Sequence, residues 1–199
     1  MEGLAAVVLA GGAARRMGGA DKPAVPVGGR SMLGRVLGAV TGCAPRIVVG
    51  PADDLPPDVL VTREQPPGGG PVAATAAGLA LVEPQVPRVA LLAADLPLLT
   101  AEAVEFLAGE LDRSTADGVV YLDDTGRRQP LCGLWRTSAL RAAVDRQRVE
   151  RGGSLAGAAM RGLLAGLTVA EVSWPGSGPP PWFDCDTDED VRRAEEWAR

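Results

Sequence analysis

The stretch Leu4-Ala5-Ala6-Val7-Val8-Leu9-Ala10-Gly11-Gly12-Ala13-Ala14-Arg15-Arg16-Met17-Gly18-Gly19-Ala20-Asp21-Lys22 decides how this chain is read. Leu4 to Leu9 is apolar without interruption, the pattern of a strand buried on both faces. A glycine-rich loop follows, and Ser31 is placed to cap a helix opening near Met32. Strand, glycine-rich loop and helix in that order can hold phosphates. Glycine lets backbone N–H groups approach phosphate oxygens with no Cβ in the way. Arg15, Arg16 and Lys22 add positive charge to the same loop, and arginine can clamp an oxyanion through two parallel hydrogen bonds. The same residues also suit an ordinary βα turn with solvated cations on its rim, because short glycine motifs recur by chance. The loop is not a Walker loop, since no Gly-Lys-Ser/Thr ends it, and it lacks the Gly-x-Gly-x-x-Gly dinucleotide pattern.

Outward from that loop, apolar runs alternate with helical patterns. Strands are predicted over 46–49, 59–62, 89–94, 118–122, 129–135 and 167–172. Helices are predicted over 32–40, 71–82, 101–111, 138–148 and 155–164, with a last one opening at Thr187. Pro71 suits a first helical position, and Asp188, Glu189 and Asp190 favour the first turn of the final helix. Asp123-Asp124-Thr125-Gly126 reads as a hairpin turn. This alternation predicts a mostly parallel sheet covered on both faces, a single α/β domain of three layers.

Composition narrows the chemistry. The chain has 199 residues, 46% of them apolar, enough for a full core. No apolar run approaches the ~18 residues of a membrane span, and Glu2 with no basic segment before Leu4 argues against a secretory leader. A net charge of −5 argues against a nucleic-acid partner. Cys43, Cys132 and Cys185 are widely spaced and odd in number, which suits a reducing cytoplasm rather than a disulfide framework. The chain contains no histidine. Histidine general catalysis and histidine-ligated zinc are therefore excluded, and any catalytic metal must sit on carboxylates, favouring Mg²⁺ or Mn²⁺.

In open α/β sheets, ligands bind beyond the carboxyl ends of the strands. The Gly11–Lys22 loop and Asp95 are predicted to fall there. Asp95 can hold a divalent cation, or it can cap the turn before the helix that Thr100 opens. Asp184 and Asp186 stand two apart, so on an extended segment they point the same way. They can complete a metal site or form a solvated acidic approach to the last helix. Trp135 suits the core better than ring stacking, and Trp174 and Trp182 flank a Pro/Gly-rich loop that could cover a ligand.

Taken together, Leu9-Ala10-Gly11-Gly12, Arg16-Met17-Gly18 and Asp21-Lys22 resemble the signature of small nucleotidyltransferases, most of all the molybdenum cofactor guanylyltransferase family. Asp95-Leu96-Pro97 matches that family's metal-binding Asp-x-Pro, and Gly70-Pro71 followed by Ala73 resembles its Gly-Pro-x-Ala helix start. Glu64 falls about where the family has a nucleotide-contacting aspartate, while Gly50 replaces a frequent asparagine and carries no implied role. Arg128-Gln129-Pro130-Leu131 resembles the His-Pro strand near the acceptor. Asp184 and Asp186 replace the asparagines of Asn-x-Asn-Thr.

The resemblance implies a fold like that of nucleotide-diphospho-sugar transferases. It implies transfer of GMP from GTP to the terminal phosphate of a molybdopterin-type acceptor, with Mg²⁺ or alternatively Mn²⁺. Arg15, Lys22 and Asp95 would be catalytic. Leu9, Ala10, Gly11, Gly12, Lys22, Glu64, Gly70, Pro71 and Asp95 would bind the nucleotide, and Asp95 and Asp186 the metal. It further implies a cytoplasmic monomer or weak oligomer in transient contact with enzymes that make or accept the cofactor. The alternatives are a cytidylyltransferase for the same cofactor, an enzyme for another small phosphate such as a phospholactate or sugar phosphate, and a nucleotide-binding partner protein without turnover. The cytidylyl branch more often reads Leu-Ala-Ala-Gly where this chain has Leu9-Ala10-Gly11-Gly12.

Overall fold

The computed structural model describes residues 2–11 and 22–198. Its centre is β1 (Leu4–Leu9), which is buried along its whole length. Two strands flank it in parallel, β4 (Arg46–Val49) and β6 (Arg88–Ala93). With β5 (Val59–Thr62), β7 (Gly118–Leu122), β8 (Arg128–Arg136) and β9 (Val169–Val172) they form a seven-stranded sheet of order β5-β4-β1-β6-β8-β7-β9. Only β8 runs against the rest, since it pairs antiparallel with both β6 and β7 while β9 runs parallel to β7. A small antiparallel hairpin, β2 (Pro26–Val27) with β3 (Arg30–Ser31), stands apart from this sheet.

The side chains of β1 alternate between two cores, as a strand covered on both faces requires. Leu4, Ala6 and Val8 pack with α1 (Met32–Ala39) and α3 (Ala101–Arg113). Ala5, Val7 and Leu9 pack with α2 (Pro71–Leu79), α4 (Thr137–Glu150) and α5 (Met160–Leu164). The α2 helix lies so close to β1 that Gly78 rests on the Val7 side chain with no room for a Cβ. The last helix, α6 (Asp188–Trp197), closes a third and smaller apolar cluster of Val27, Met32, Leu98, Cys185 and Ala194.

Two sequence expectations need correction. The helix expected over 155–164 forms only from Met160. Its first residues are instead a loop in which Leu155 and Ala158 are buried and Gly157 takes φ +70°. There the Gly157 N–H donates to the Gly69 carbonyl at 2.8 Å, a tertiary bond that replaces a helical one. The β2–β3 hairpin was not anticipated, because two-residue strands carry no readable period. Trp135 is wholly buried, as its size favours. Trp174 and Trp182 pack on Tyr121 within an aromatic group that also holds Phe106. No helix among the described residues is long and apolar enough to cross a membrane.

Candidate active site

Four parallel strands end level with one another. Leu9 is in register with Val49 and with Ala93, and Val49 with Thr62. The hydrogen-bond ladder runs one residue further: Ala10 N–H donates to Val49 O at 2.8 Å, and Ala94 N–H donates to Leu9 O at 3.0 Å. Gly50 N–H donates to Thr62 O at 2.9 Å. This row forms the carboxyl edge of the sheet, and Gly11, Glu64 and Asp95 all follow directly from it.

Gly50 adjoins the start of the glycine loop. Its φ is +133°, and a Cβ there would stand 2.7 Å from both the Ala10 carbonyl carbon and the Gly11 nitrogen. Only glycine allows β4 to leave the sheet this close to the loop. Nothing in the sequence marked Gly50 for that role, because the contact depends on strand order.

Lys22, at the start of a short 3-10 turn, is buried. Its Nζ donates to Asp95 Oδ2 at 2.6 Å and to Asp186 Oδ1 at 2.7 Å. The structure thus joins three predicted site residues that lie 73 and 164 positions apart. Asp95 is tied on its backbone side by Cys185 N–H, which donates to Asp95 O at 3.2 Å. Asp186 sits in an ordered helix entry, where Asp190 Oδ2 accepts from Asp186 N–H at 3.1 Å and from Thr187 N–H at 2.8 Å. Thr187 and Asp190 complete a capping box.

Burial alone would lower the Lys22 pKa, but its hydrogen bonds and charge attraction to Asp186 and Asp95 outweigh that and hold the ammonium above the usual lysine range. Asp184 moves up from the usual carboxylate range. Partial desolvation is the largest cause, reinforced by the like charges of Asp186 and Asp95 and opposed by Lys22. Lys22 thus bonds two carboxylates directly, while Asp184 stands near the cluster without a hydrogen bond to the ammonium.

The remaining predicted residues divide. Glu64 is buried, and its Oε1 accepts from Gly68 N–H at 2.9 Å while lying 3.8 Å from where a Gly11 Cβ would stand. It fastens the 65–70 turn close to Gly11. Gly70 is the N-cap of α2 and Pro71 its first residue, with no side chain capping the helix. The first-turn N–H groups of α2 are therefore open to an anion. The side chains of Leu9 and Ala10 face the two cores, so they support the loop from below. Gly12 and Arg15 lie outside the described residues.

Asp95 and Asp186 converge on the Lys22 ammonium, and a pair of neighbouring carboxylates is also a donor set that a hard divalent cation accepts. No group of three or more His, Cys, Asp or Glu side chains is assembled to hold a metal among the described residues. That donor count fits Mg²⁺ bound together with a substrate, because Mg²⁺ uses one or two carboxylates and takes its other ligands from phosphates and water.

Comparison with known proteins identifies the family. Residues 6–170 match the family model of the MobA-like NTP transferase domain. The chain is 32% identical over 203 residues to the molybdenum cofactor guanylyltransferase of Bradyrhizobium sp. strain ORS 278, covering 96% of this chain and 92% of that protein. It is 41% identical over 140 residues to the probable molybdenum cofactor guanylyltransferase of Mycobacterium tuberculosis H37Rv, covering 67% of this chain and 68% of that one. The molybdopterin-guanine dinucleotide biosynthesis protein A of Archaeoglobus fulgidus shares the fold, with a TM-score of 0.68 at 20% identity over 96% of this chain and 97% of that one. By its family model and its relatives, this nucleotidyltransferase belongs to the MobA-like NTP transferase domain family.

Proposed function

We propose that this chain transfers GMP from GTP to the terminal phosphate of a molybdopterin-type acceptor and releases pyrophosphate. The observation that carries the reading is the Lys22 ammonium bridging Asp186 and Asp95, the latter following the carboxyl edge of the sheet. The names of relatives at 32% and 41% identity supply the base and the acceptor.

An acceptor phosphate oxygen attacks the α-phosphorus in line, and the bond from the α-phosphorus to the bridging oxygen breaks. The electron pair leaves with pyrophosphate. The nucleophile is already an anion at neutral pH, so no general base is needed, in keeping with a chain that has no histidine. Lys22 is held protonated by its carboxylates, so it neutralises phosphate charge and does not itself attack phosphorus. Arg15 and the backbone amides of Gly11 and Gly12 neutralise and hold the triphosphate. The uncapped start of α2 after Pro71 and the Glu64-braced turn line the nucleotide's other end. Asp95 and Asp186 would hold Mg²⁺ or Mn²⁺, which when bound acts as a Lewis acid on the crowded phosphate oxygens. Three buried cysteines suit a reducing cytoplasm, where enzymes that make and take the cofactor would meet this one in passing.

The test is pyrophosphate release from each of the four NTPs with molybdopterin-type acceptor and Mg²⁺. GTP is expected to give the highest kcat/KM, because buried polar groups left unmatched reject the wrong base. EDTA should abolish turnover, and Zn²⁺ should not restore it. Equal or better efficiency with CTP would place the chain among cytidylyltransferases. Full activity in EDTA would overturn the metal assignment.

A further inference from the structure

Lys22, Asp95 and Asp186 come from three separate segments, and their meeting has to be enforced by something other than their own charges. Two carboxylates repel each other, and Lys22 reaches the site from the end of a loop. The structure contains a dedicated tie behind the cluster. Arg35, on α1, donates from Nε to the Pro97 carbonyl at 2.6 Å and from Nη1 to the Val27 carbonyl at 3.3 Å. Pro97 belongs to the turn Asp95-Leu96-Pro97. Val27 belongs to the hairpin that continues directly from the Lys22 turn. One guanidinium thus fastens the segment carrying Lys22 to the segment carrying Asp95.

The third apolar cluster continues the same tie to Asp186. Val27 follows Lys22, Leu98 follows Asp95 and Cys185 precedes Asp186, and all three pack with Met32 and Ala194. On its far side Phe183 meets Trp197 edge to face at 5.0 Å, with Arg193 4.6 Å above the Trp197 ring. This cluster is separate from both sheet cores. Arg35 adds a side-chain tie to the backbone bonds from Cys185 N–H to Asp95 O and from Met32 N–H to Val25 O, since an apolar cluster alone fixes proximity but not the aim of a carboxylate.

We infer that Arg35 is a positioning residue that sets the Lys22–Asp95 pair by bridging the Val27 and Pro97 carbonyls. The inference rests on the reading that this pair works at the phosphates. Arg35 touches neither side chain of the pair and forms no ion pair with a carboxylate among the described residues. Its charge is spent on backbone carbonyls, where charge-assisted hydrogen bonds are stronger and more directional than neutral ones.

Arg141 provides the control. It makes the same kind of tie, from Nη2 to the Leu79 carbonyl at 3.0 Å and to the Val82 carbonyl, but at the end of α2 away from the site. Lys22 is the only lysine in the chain, so modification by an amine-reactive reagent at this position can be followed by peptide mass alone. Arg35→Met, Arg35→Lys and Arg141→Met should be compared for melting temperature, for the labelling rate of Lys22 without metal or nucleotide, and for kcat and KM. Both methionine variants should lose thermal stability. Only Arg35→Met should expose Lys22, with labelling faster and kcat lower by on the order of tenfold, the scale set by one hydrogen bond to a charged group. Its KM for the acceptor should hold. Arg35→Lys, which keeps one donor, should lie between parent and Arg35→Met. If Arg35→Met melts early yet labels and turns over like Arg141→Met, Arg35 is scaffold only and the inference falls. Should the parent chain fail to transfer GMP, the proposed function fails by itself, and the labelling comparison, which needs no turnover, still decides the role of Arg35.

Discussion

Replacing Asp95 by asparagine should cripple turnover far more than the same change at Asp186, and the structure sets the ratio. Both carboxylates meet the Lys22 ammonium at nearly equal distance, 2.6 and 2.7 Å, so geometry alone would predict equal effects. Solvent breaks the tie. The Asp95 side chain is 24% exposed and the Lys22 side chain 7%, whereas the Asp186 side chain is 75% exposed. A charge-assisted hydrogen bond in the shielded pair is worth about 1.5–3 kcal/mol, or roughly ten- to a hundredfold in rate if expressed in the transition state. The exposed contact to Asp186 is screened to below about 1 kcal/mol, or less than roughly fivefold. An asparagine at 186 also keeps an oxygen for a metal, and the Asp190 cap acts on the backbone there and is untouched by the change. The assay is kcat with GTP and acceptor at saturating Mg²⁺, on variants first shown to melt cooperatively near the parent. Asp186→Asn proving the more damaged enzyme would refute the reasoning and move the centre of the site to the Asp184–Asp186 segment.

Three further outcomes follow from the same geometry. Lys22→Arg should recover little of what Lys22→Ala loses in GTP affinity and kcat, because a planar guanidinium cannot set one nitrogen between two carboxylate oxygens in a buried slot; parent-like kinetics in Lys22→Arg would contradict this. Gly50→Ala should destabilise by about 1–3 kcal/mol in denaturant titration and raise the KM for GTP, since the new Cβ meets Ala10 and Gly11 at a φ that L residues rarely adopt; an unchanged midpoint and KM would show that the loop yields freely. Asp184→Asn should raise the melting temperature at neutral pH in the absence of divalent cations. The folded-state pKa of Asp184 lies above its unfolded value, so ionisation opposes folding. That penalty is present above the folded pKa and disappears below the unfolded one, so the advantage of the variant should vanish in acid; a gap that widened on acidification would reverse the assigned sign.

The sequence determined the parts of this protein that are local in origin. Continuous apolar runs such as Leu4–Leu9 and the one from Val89 to Ala94 became buried parallel strands because each run by itself can satisfy two covered faces. Thr100 and Thr187 cap helices where side-chain chemistry placed them. The strand-end positions of Gly11 and Asp95 were legible because the segments that bind ligands on such a sheet follow the carboxyl ends of its strands. Tertiary structure alone decided which strands are neighbours and which residues therefore meet. The antiparallel insertion of β8 between β6 and β7 leaves no periodic trace. Gly50 matters only because β4 lies beside β1, and Arg35 only because α1 passes behind two turns that are far apart in the chain. Residues 155–159 had a helical pattern but gave it up for burial of Leu155 and a hydrogen bond to Gly69. Propensity amounts to a few tenths of a kcal/mol per residue, and a buried side chain with a satisfied backbone group outweighs it.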